Sequence, residues 1–456
     1  MFQIKSLQKY ENLYKIIVSW YIALFALYSI MTRFTITNLA IDGLANSILY
    51  VSFTLSGVLL AVYEFISFGS FRKAKHNRLL ILFLFVCCLS TLLNYKYDLI
   101  GNIKAITILF SQIMLFYFLA MHFDKEDFCY CLKRLLILCN FLWSLASLGS
   151  IVLYMLNLHF PLDYTEGRVI RQGFMEGRLF GFFSDPNFAA FTSLLLIYGL
   201  LYLVSKTKTK GLRILYRISI GIHICYIIMS NSRTVYISIL LSALLYVLLQ
   251  RKRKDSVLSA ASIAKTIIIT ILILAVGYLT IFASLRGLGY LITPNRGVED
   301  EFIREDVNLE NISNNRSTIW KNYLKLYTKK PLFGTSPRGA LLLADETEPD
   351  GYLSKRQYVT HNGYLSLLVT TGGIGFAIMV IFMLFELKKI WFFLHSDRLP
   401  DDLFIFFITT LLATMTFTFF FTDLFFTNNI ETMLFLIALS YMNKITISTK
   451  SEKTAS

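Results

Sequence analysis

The chain has 456 residues, 55% of them hydrophobic and 15% aromatic, against 16% charged. A soluble core of this size does not call for so many apolar runs long enough to cross a bilayer, and 7 prolines with 23 glycines exclude a collagen-like or disordered chain. A net charge of +15 would suit nucleic acid, but the basic excess falls mostly in short segments between apolar runs, a pattern of membrane topology facing anionic headgroups.

Hydropathy predicts an all-α polytopic membrane protein, one transmembrane domain over 1–456 with about twelve spans: 16–33, 44–69, 78–95, 104–121, 134–158, 188–204, 212–229, 234–250, 263–284, 362–385, 403–421 and 424–443. The first run follows Lys5, Lys9 and Lys15 and lacks a cleavage pattern, so it reads as a span rather than a signal peptide. With the N-terminus inside, the clusters at 72–78, 125–134, 206–217, 251–265, 388–398 and 444–453 all fall on the inner side. Only Arg33, Lys96, Lys104 and Arg233 sit in short outer connections. The expected location is therefore the cell membrane, with both termini cytoplasmic. The cysteines lie in spans or inner loops and suggest neither a disulfide framework nor a zinc site.

Two long outer loops stand out. The first, 159–187, carries Arg168, Arg171 and Arg178 and ends in Asp185-Pro186-Asn187, a turn-forming approach to the next span. The second, 285–361, is the largest polar segment and is expected to lie outside the membrane. Its stretch 316–330 has helical periodicity, with Trp320, Tyr323, Leu324 and Tyr327 on one face and Lys321, Lys325 and Lys329 on another. Such a helix suits the lipid–water boundary. The acidic run 345–350 has carboxylates too loosely spaced for a fixed cation geometry and reads as a solvated loop tip. No P-loop and no His-Glu-x-x-His occurs.

The second loop ends in His361-Asn362, at the mouth of a span. A helix N-terminus favours the neutral imidazole, which makes His361 a candidate general base. On the same expected face lie Arg178, Asp185, Asn187, Arg233 and Arg316, and arginine forks match phosphate oxygens. The plainer readings are a lipid-phosphate anchor for Arg233, an interfacial-helix cation for Arg316, and a turn and helix cap for the Arg178–Asn187 stretch. Glu64 and Glu431 near span ends suggest either a functional carboxylate or pairing with another span.

The chain resembles the bacterial O-antigen polymerase/ligase superfamily. Its ligases carry His, then Asn, Ser or Gln, nine residues, and Gly-x-x-Gly; here the run is His361-Asn362, then 363–371, then Gly372-Gly373-Ile374-Gly375. Arg316-Ser-Thr-Ile-Trp320 leading to Pro331-Leu-Phe-Gly334 is similar to the family's large-loop pattern, as are Ser232-Arg233 and Asp185-Pro186-Asn187 before spans. The ligase pattern Arg-x-x-x-Leu becomes Arg233-Thr-Val-Tyr-Ile237.

The resemblance implies a lipid-phosphate-dependent (GT-C-like) glycosyltransferase fold and transfer of a glycan from undecaprenyl pyrophosphate, without metal or other cofactor. Carried over, His361 would be the base or acceptor-positioning group, with Arg316 and Arg233 holding the leaving pyrophosphate. Asn362, Arg178, Asp185, Asn187 and Arg338 would bind substrate. The leading expectation is a polysaccharide polymerase of the capsule or exopolysaccharide kind. The alternatives are a ligase and, in another class, a lipid-linked oligosaccharide flippase. Expected partners are the lipid-linked donor and acceptor, membrane lipids, a chain-length regulator and a flippase, and no nucleic acid.

Overall fold

The computed structural model describes residues 2–40, 43–72, 75–158, 162–163, 169–254, 259–293, 315–395, 399–421 and 425–455. Helices α1 (Phe2–Met31), α2 (Thr35–Ala40), α3 (Gly43–Tyr63), α4 (Arg78–Leu93), α5 (Leu99–Gln112), α6 (Leu119–His122) and α7 (Lys125–Met155) come first. Two antiparallel ribbons follow: β1 (Leu162–Asp163) with β2 (Val169–Ile170), and β3 (Gly173–Met175) with β4 (Arg178–Gly181). Then come α8 (Pro186–Lys206), α9 (Lys210–Ser230), α10 (Arg233–Lys254) and α11 (Ala260–Ile292). Three short helices, α12 (Arg316–Tyr327), α13 (Ala340–Thr347) and α14 (Tyr352–Arg356), precede α15 (Gly363–Leu394), α16 (Asp402–Phe420) and α17 (Ile430–Ala455). Arg168 and much of the 285–361 loop, namely 294–314, lie outside the described residues.

Among the described residues ten helices are long and apolar enough to cross a membrane, against the twelve spans expected. Of the remaining two, 78–95 is α4, whose 16 residues reach about 24 Å, short of a hydrocarbon core of about 30 Å. The other, 424–443, corresponds to the start of α17, which begins only at Ile430. The protein is an all-α polytopic membrane protein. Trp143, Tyr117, Phe183 and Phe191 are fully buried in its core, while α3 and α11 leave most of their apolar side chains facing outward.

The basic segments expected on one side do gather at one end of the bundle. Asp402 receives Lys206 at 2.9 Å and Arg253, Asp401 receives Lys125 at 3.6 Å, and Lys252 and Lys444 donate to the Leu394 and Phe123 carbonyls. Carboxylates buried among the helices have partners: Glu64 meets His122 at 2.6 Å and Tyr14 at 3.2 Å, and Glu386 meets Lys389 at 2.7 Å.

At the other end the large loop is fixed by a break in α15. Gly372 has φ +70° and ψ −179°, outside helical geometry, so the helix loses its regular ladder there. Unpaired backbone groups are costly in a bilayer, and such a break persists only where other groups satisfy them. The loop does this. The N–H groups of Thr335 and Ser336 donate to the Val369 and Thr370 carbonyls at 2.9 and 3.0 Å, and those of Gly373 and Ile374 donate to the Pro331 and Leu332 carbonyls at 2.8 and 3.2 Å. From α4, Ser90 Oγ donates to the Thr370 carbonyl and Asn94 Nδ2 to the Gly334 carbonyl. Pro331-Leu-Phe-Gly334 and Gly372-Gly373-Ile374-Gly375 are thus two halves of one joint.

The same joint corrects the expected role of the 316–330 helix. Its buried residues are Ile319, Tyr323 and Leu326, packed on Tyr97, Leu343, Leu353, Leu365 and Val369, while Leu324 is exposed. The helix packs onto α13, α14 and the start of α15 rather than presenting the expected face to lipid, because the docked loop offers it an apolar cluster. Its lysine stripe is used too: Lys325 and Lys329 pair with Glu348 at 2.9 and 2.7 Å. The acidic run is therefore not simply a solvated tip.

A Cβ on Gly372 would lie 2.2 Å from the Leu332 carbonyl oxygen, and one on Gly334 would lie 2.5 Å from that of Thr370. Both glycines also have positive φ. Gly372→Ala and Gly334→Ala should each lower stability by about 2 kcal/mol or more, adding overlap to the left-handed penalty. Gly373→Ala, which meets only the Tyr327 hydroxyl at 3.2 Å and the Pro331 carbonyl at 3.4 Å, should cost under about 1 kcal/mol. Thermal unfolding of the three detergent-purified variants checks this; equal effects at all three positions would refute the joint.

Candidate active site

His361 sits between α14 and α15 with φ +47°, a left-handed conformation that non-glycine residues adopt infrequently. Both flanks are held. Trp320 Nε1 of α12 donates to the Thr360 carbonyl at 3.0 Å, and Tyr323 Oη donates to the Tyr358 carbonyl at 2.9 Å. On the other side Asn362 Oδ1 accepts the Leu365 N–H at 3.0 Å and caps α15. Asn362 thereby spends its side-chain oxygen on the helix terminus. The imidazole is half-buried, 5.9 Å from the Phe421 ring, and its Nδ1 is buried with no hydrogen-bond partner among the described residues.

Burial and then the Arg316 guanidinium push the His361 pKa below the usual histidine range, while the Asp185 carboxylate pulls the other way. The neutral form is favoured, as the sequence suggested, but the leading cause is desolvation rather than the helix dipole. These effects also bring three distant stretches of sequence into one neighbourhood: Asp185 at the start of α8, Arg316 at the start of α12, and His361.

The Asp185 turn is a scaffold in its own right. Asp185 Oδ1 accepts the N–H groups of Asn187 and Phe188 at 2.7 and 3.3 Å, with Pro186 fixing the first turn of α8. Asn187 Oδ1 accepts from Arg178 Nη2 at 2.6 Å and from Ser232 Oγ at 2.9 Å, and Arg178 Nε donates to the Ser230 carbonyl at 3.1 Å. Arg178 and Asn187 therefore tie β4, α8 and the α9–α10 turn together. Arg233 follows Ser232 as the exposed first residue of α10, on the rim of this network. The Arg338 backbone N–H donates to Asn102 Oδ1 of α5 at 2.7 Å, and its charge is felt by Tyr50 of α3.

Two residues that the sequence reading did not assign to the site adjoin this region. Arg33, at the end of α1, lies 3.8 Å above the Phe188 ring and 3.4 Å from Glu431 Oε2, and Glu431 Oε1 accepts from Thr192 Oγ1 at 2.5 Å. The only signal for Arg33 in the sequence was that it was one of few basic residues in the short outer connections. For Glu431, pairing with another span is what the structure displays.

The class that the fold defines is a polytopic helical membrane protein, with His361 and several arginines at one end of the bundle. Residues 218–380 match the family model described as O-Antigen ligase, which supports a likeness to the O-antigen polymerase/ligase superfamily. No curated protein matches the chain. The match supports a function of the O-antigen ligase/polymerase type generally, and members of that family are glycosyltransferase-like enzymes. The matched segment contains Arg233, Arg316, Arg338, His361, Asn362 and the Gly372–Gly375 joint. Arg178, Asp185 and Asn187 come from the preceding part of the chain.

The neighbourhood predicts how His361 titrates. Arg316→Gln removes a charge that lowers its pKa, so the midpoint should rise. Asp185→Asn, which keeps a capping oxygen, removes the opposing charge, so the midpoint should fall. Diethyl pyrocarbonate modifies neutral imidazole, and peptide mass mapping of its pH dependence at His361 reads both shifts. Unmoved midpoints in both variants would mean that the three groups are not neighbours.

Proposed function

We propose that this protein is a polysaccharide polymerase, transferring a growing glycan from undecaprenyl pyrophosphate to a hydroxyl of the next lipid-linked repeat unit. The site end of the bundle would face outward and both termini would be cytoplasmic, in keeping with the charge asymmetry of the sequence. The observation that carries the reading is His361, held on both flanks, favoured in its neutral form, and set beside Arg316.

In this mechanism the neutral imidazole accepts the proton of the acceptor hydroxyl as its oxygen attacks the anomeric carbon. The new C–O bond forms as the bond to the pyrophosphate oxygen breaks, and the leaving group takes the electron pair. Arg316 and Arg233 would neutralise the charge that develops on it. The proton held by His361 then passes to water. Asp185 would support the imidazolium between these steps, since a nearby carboxylate favours the charged ring. Arg178 and Asn187 hold the Asp185 turn and so act on substrate binding through position.

A second reading, a ligase moving finished glycan to a different acceptor, is supported by the description of the matched family model. Gel profiles of surface and lipid-linked glycan separate the two in cells carrying only His361→Ala protein at normal membrane abundance. Single repeat units in place of long chains are expected for the polymerase. Long chains stranded on their lipid carrier and missing from the final acceptor would replace it with the ligase. An unchanged profile would sink the role given to His361.

A further inference from the structure

We propose that Arg33 is a further oxyanion-binding residue of this site, beside Arg316 and Arg233, taking a phosphate oxygen of the lipid pyrophosphate, with Glu431 and Thr192 as the positioning residues that aim it. The proposal rests on the functional reading above, because it takes the same headgroup as ligand.

Arg33 is built into the site by both its backbone and its side chain. Its carbonyl accepts the Ser184 N–H at 2.9 Å and Ser184 Oγ at 3.2 Å, immediately before the Asp185 cap. The adjoining backbone pairs as well: Thr35 N–H donates to the Phe182 carbonyl at 2.8 Å. The end of α1 is thus pinned to the approach to α8, and Arg33 cannot drift from the Asp185 turn without breaking this ladder.

The guanidinium then has two supports. It lies 3.8 Å over the Phe188 ring, a contact that orients its plane. Phe188 packs edge-on against Phe421 with centroids 4.9 Å apart, and Phe421 is the ring beside His361. Arg33 and His361 are therefore joined through two aromatic rings. The second support is Glu431, whose carboxylate is fixed from its other side by Thr192.

The ion pair is lopsided in a way that a purely structural pair need not be. The Arg33 side chain is 20% exposed and that of Glu431 only 3%, so the open side of the pair is the cation. The contact between them is 3.4 Å, long for a charge-assisted bond, and among the described residues it is the one ion pair made by a fork that carries five N–H donors. A buried carboxylate that holds an arginine by one edge leaves the other edge able to turn to a phosphate. With Arg316, it would supply cationic groups from two different elements around His361, as a doubly charged headgroup requires.

The test is binding of undecaprenyl pyrophosphate, without sugar, to the full-length protein in phosphatidylcholine nanodiscs, where no anionic headgroup competes. Undecaprenol serves as the uncharged control. Arg33→Gln alone would leave Glu431 buried without its cation, so the paired variant Arg33→Gln/Glu431→Gln is measured beside Glu431→Gln. The double variant should keep a Tm near the parent's, lose about tenfold in affinity for the pyrophosphate lipid, and bind undecaprenol unchanged. Glu431→Gln, which releases the cation, should bind the pyrophosphate lipid as tightly as the parent or more so.

A double variant that binds the pyrophosphate lipid as the parent does would overturn the proposal. So would a Glu431→Gln variant as weakened as the double one, which would make the pair merely structural. His361→Ala keeps the two readings distinguishable, since it should bind the lipid but fail to transfer glycan. If it transfers normally, the base is wrong while the Arg33 measurement still stands. If the parent itself ignores the pyrophosphate lipid, the donor reading fails and Arg33 with it.

Discussion

The structure turns on a single unmade stretch of helix. Where α15 breaks at Gly372, backbone groups inside the bundle need partners, and a bilayer supplies none. Segment 331–336 supplies them, from a loop that follows α12 in the chain. This exchange fixes the loop to the bundle, gives α12 an apolar cluster to pack on, and lets Trp320 and Tyr323 grip the carbonyls just before His361. The Gly-x-x-Gly element is therefore structural: its first glycine permits the break and the close approach of the loop backbone. The histidine upstream depends on it only through this joint.

The candidate site is assembled from the ends of elements that are far apart in sequence. Each end has its own local reason: Asp185 and Asn362 cap helices, Asn231 ends α9 in the left-handed conformation, and Arg316 begins an amphipathic helix. Helix starts expose N–H groups and a partial positive charge, so their convergence makes a place suited to anions before any arginine is counted. The arginines then divide by role. Arg178 is committed to Asn187 and the Ser230 carbonyl, Arg316 bears on His361, and Arg33 is held over an aromatic ring.

The two ends of the bundle use charge differently. At the end opposite the site, Asp401 and Asp402 gather lysines and an arginine from several connections, tying the helices together near the surface. At the site end the loop lysines are balanced by Glu346 and Glu348. The acidic run thus docks α13 against α12 and the α4–α5 turn.

The sequence by itself determined the membrane class, the order of nearly all the spans, the segregation of basic connections to one end, and the motif that contains His361. Those properties are local or additive, set by run length, hydropathy and charge along the chain. It also marked Asp185, Arg316 and His361 as separate candidates. Only the tertiary structure decided that these three share one neighbourhood, because their proximity depends on the packing of α8, α12 and α15. It also decided what covers the apolar side of α12: Ile319, Tyr323 and Leu326 are buried, with Trp320 and Tyr327 packed against the same cluster, because the docked loop supplies it. Arg33 was brought in through Phe188 because a side chain's direction is set by the element it packs against, and sequence spacing carries no record of that.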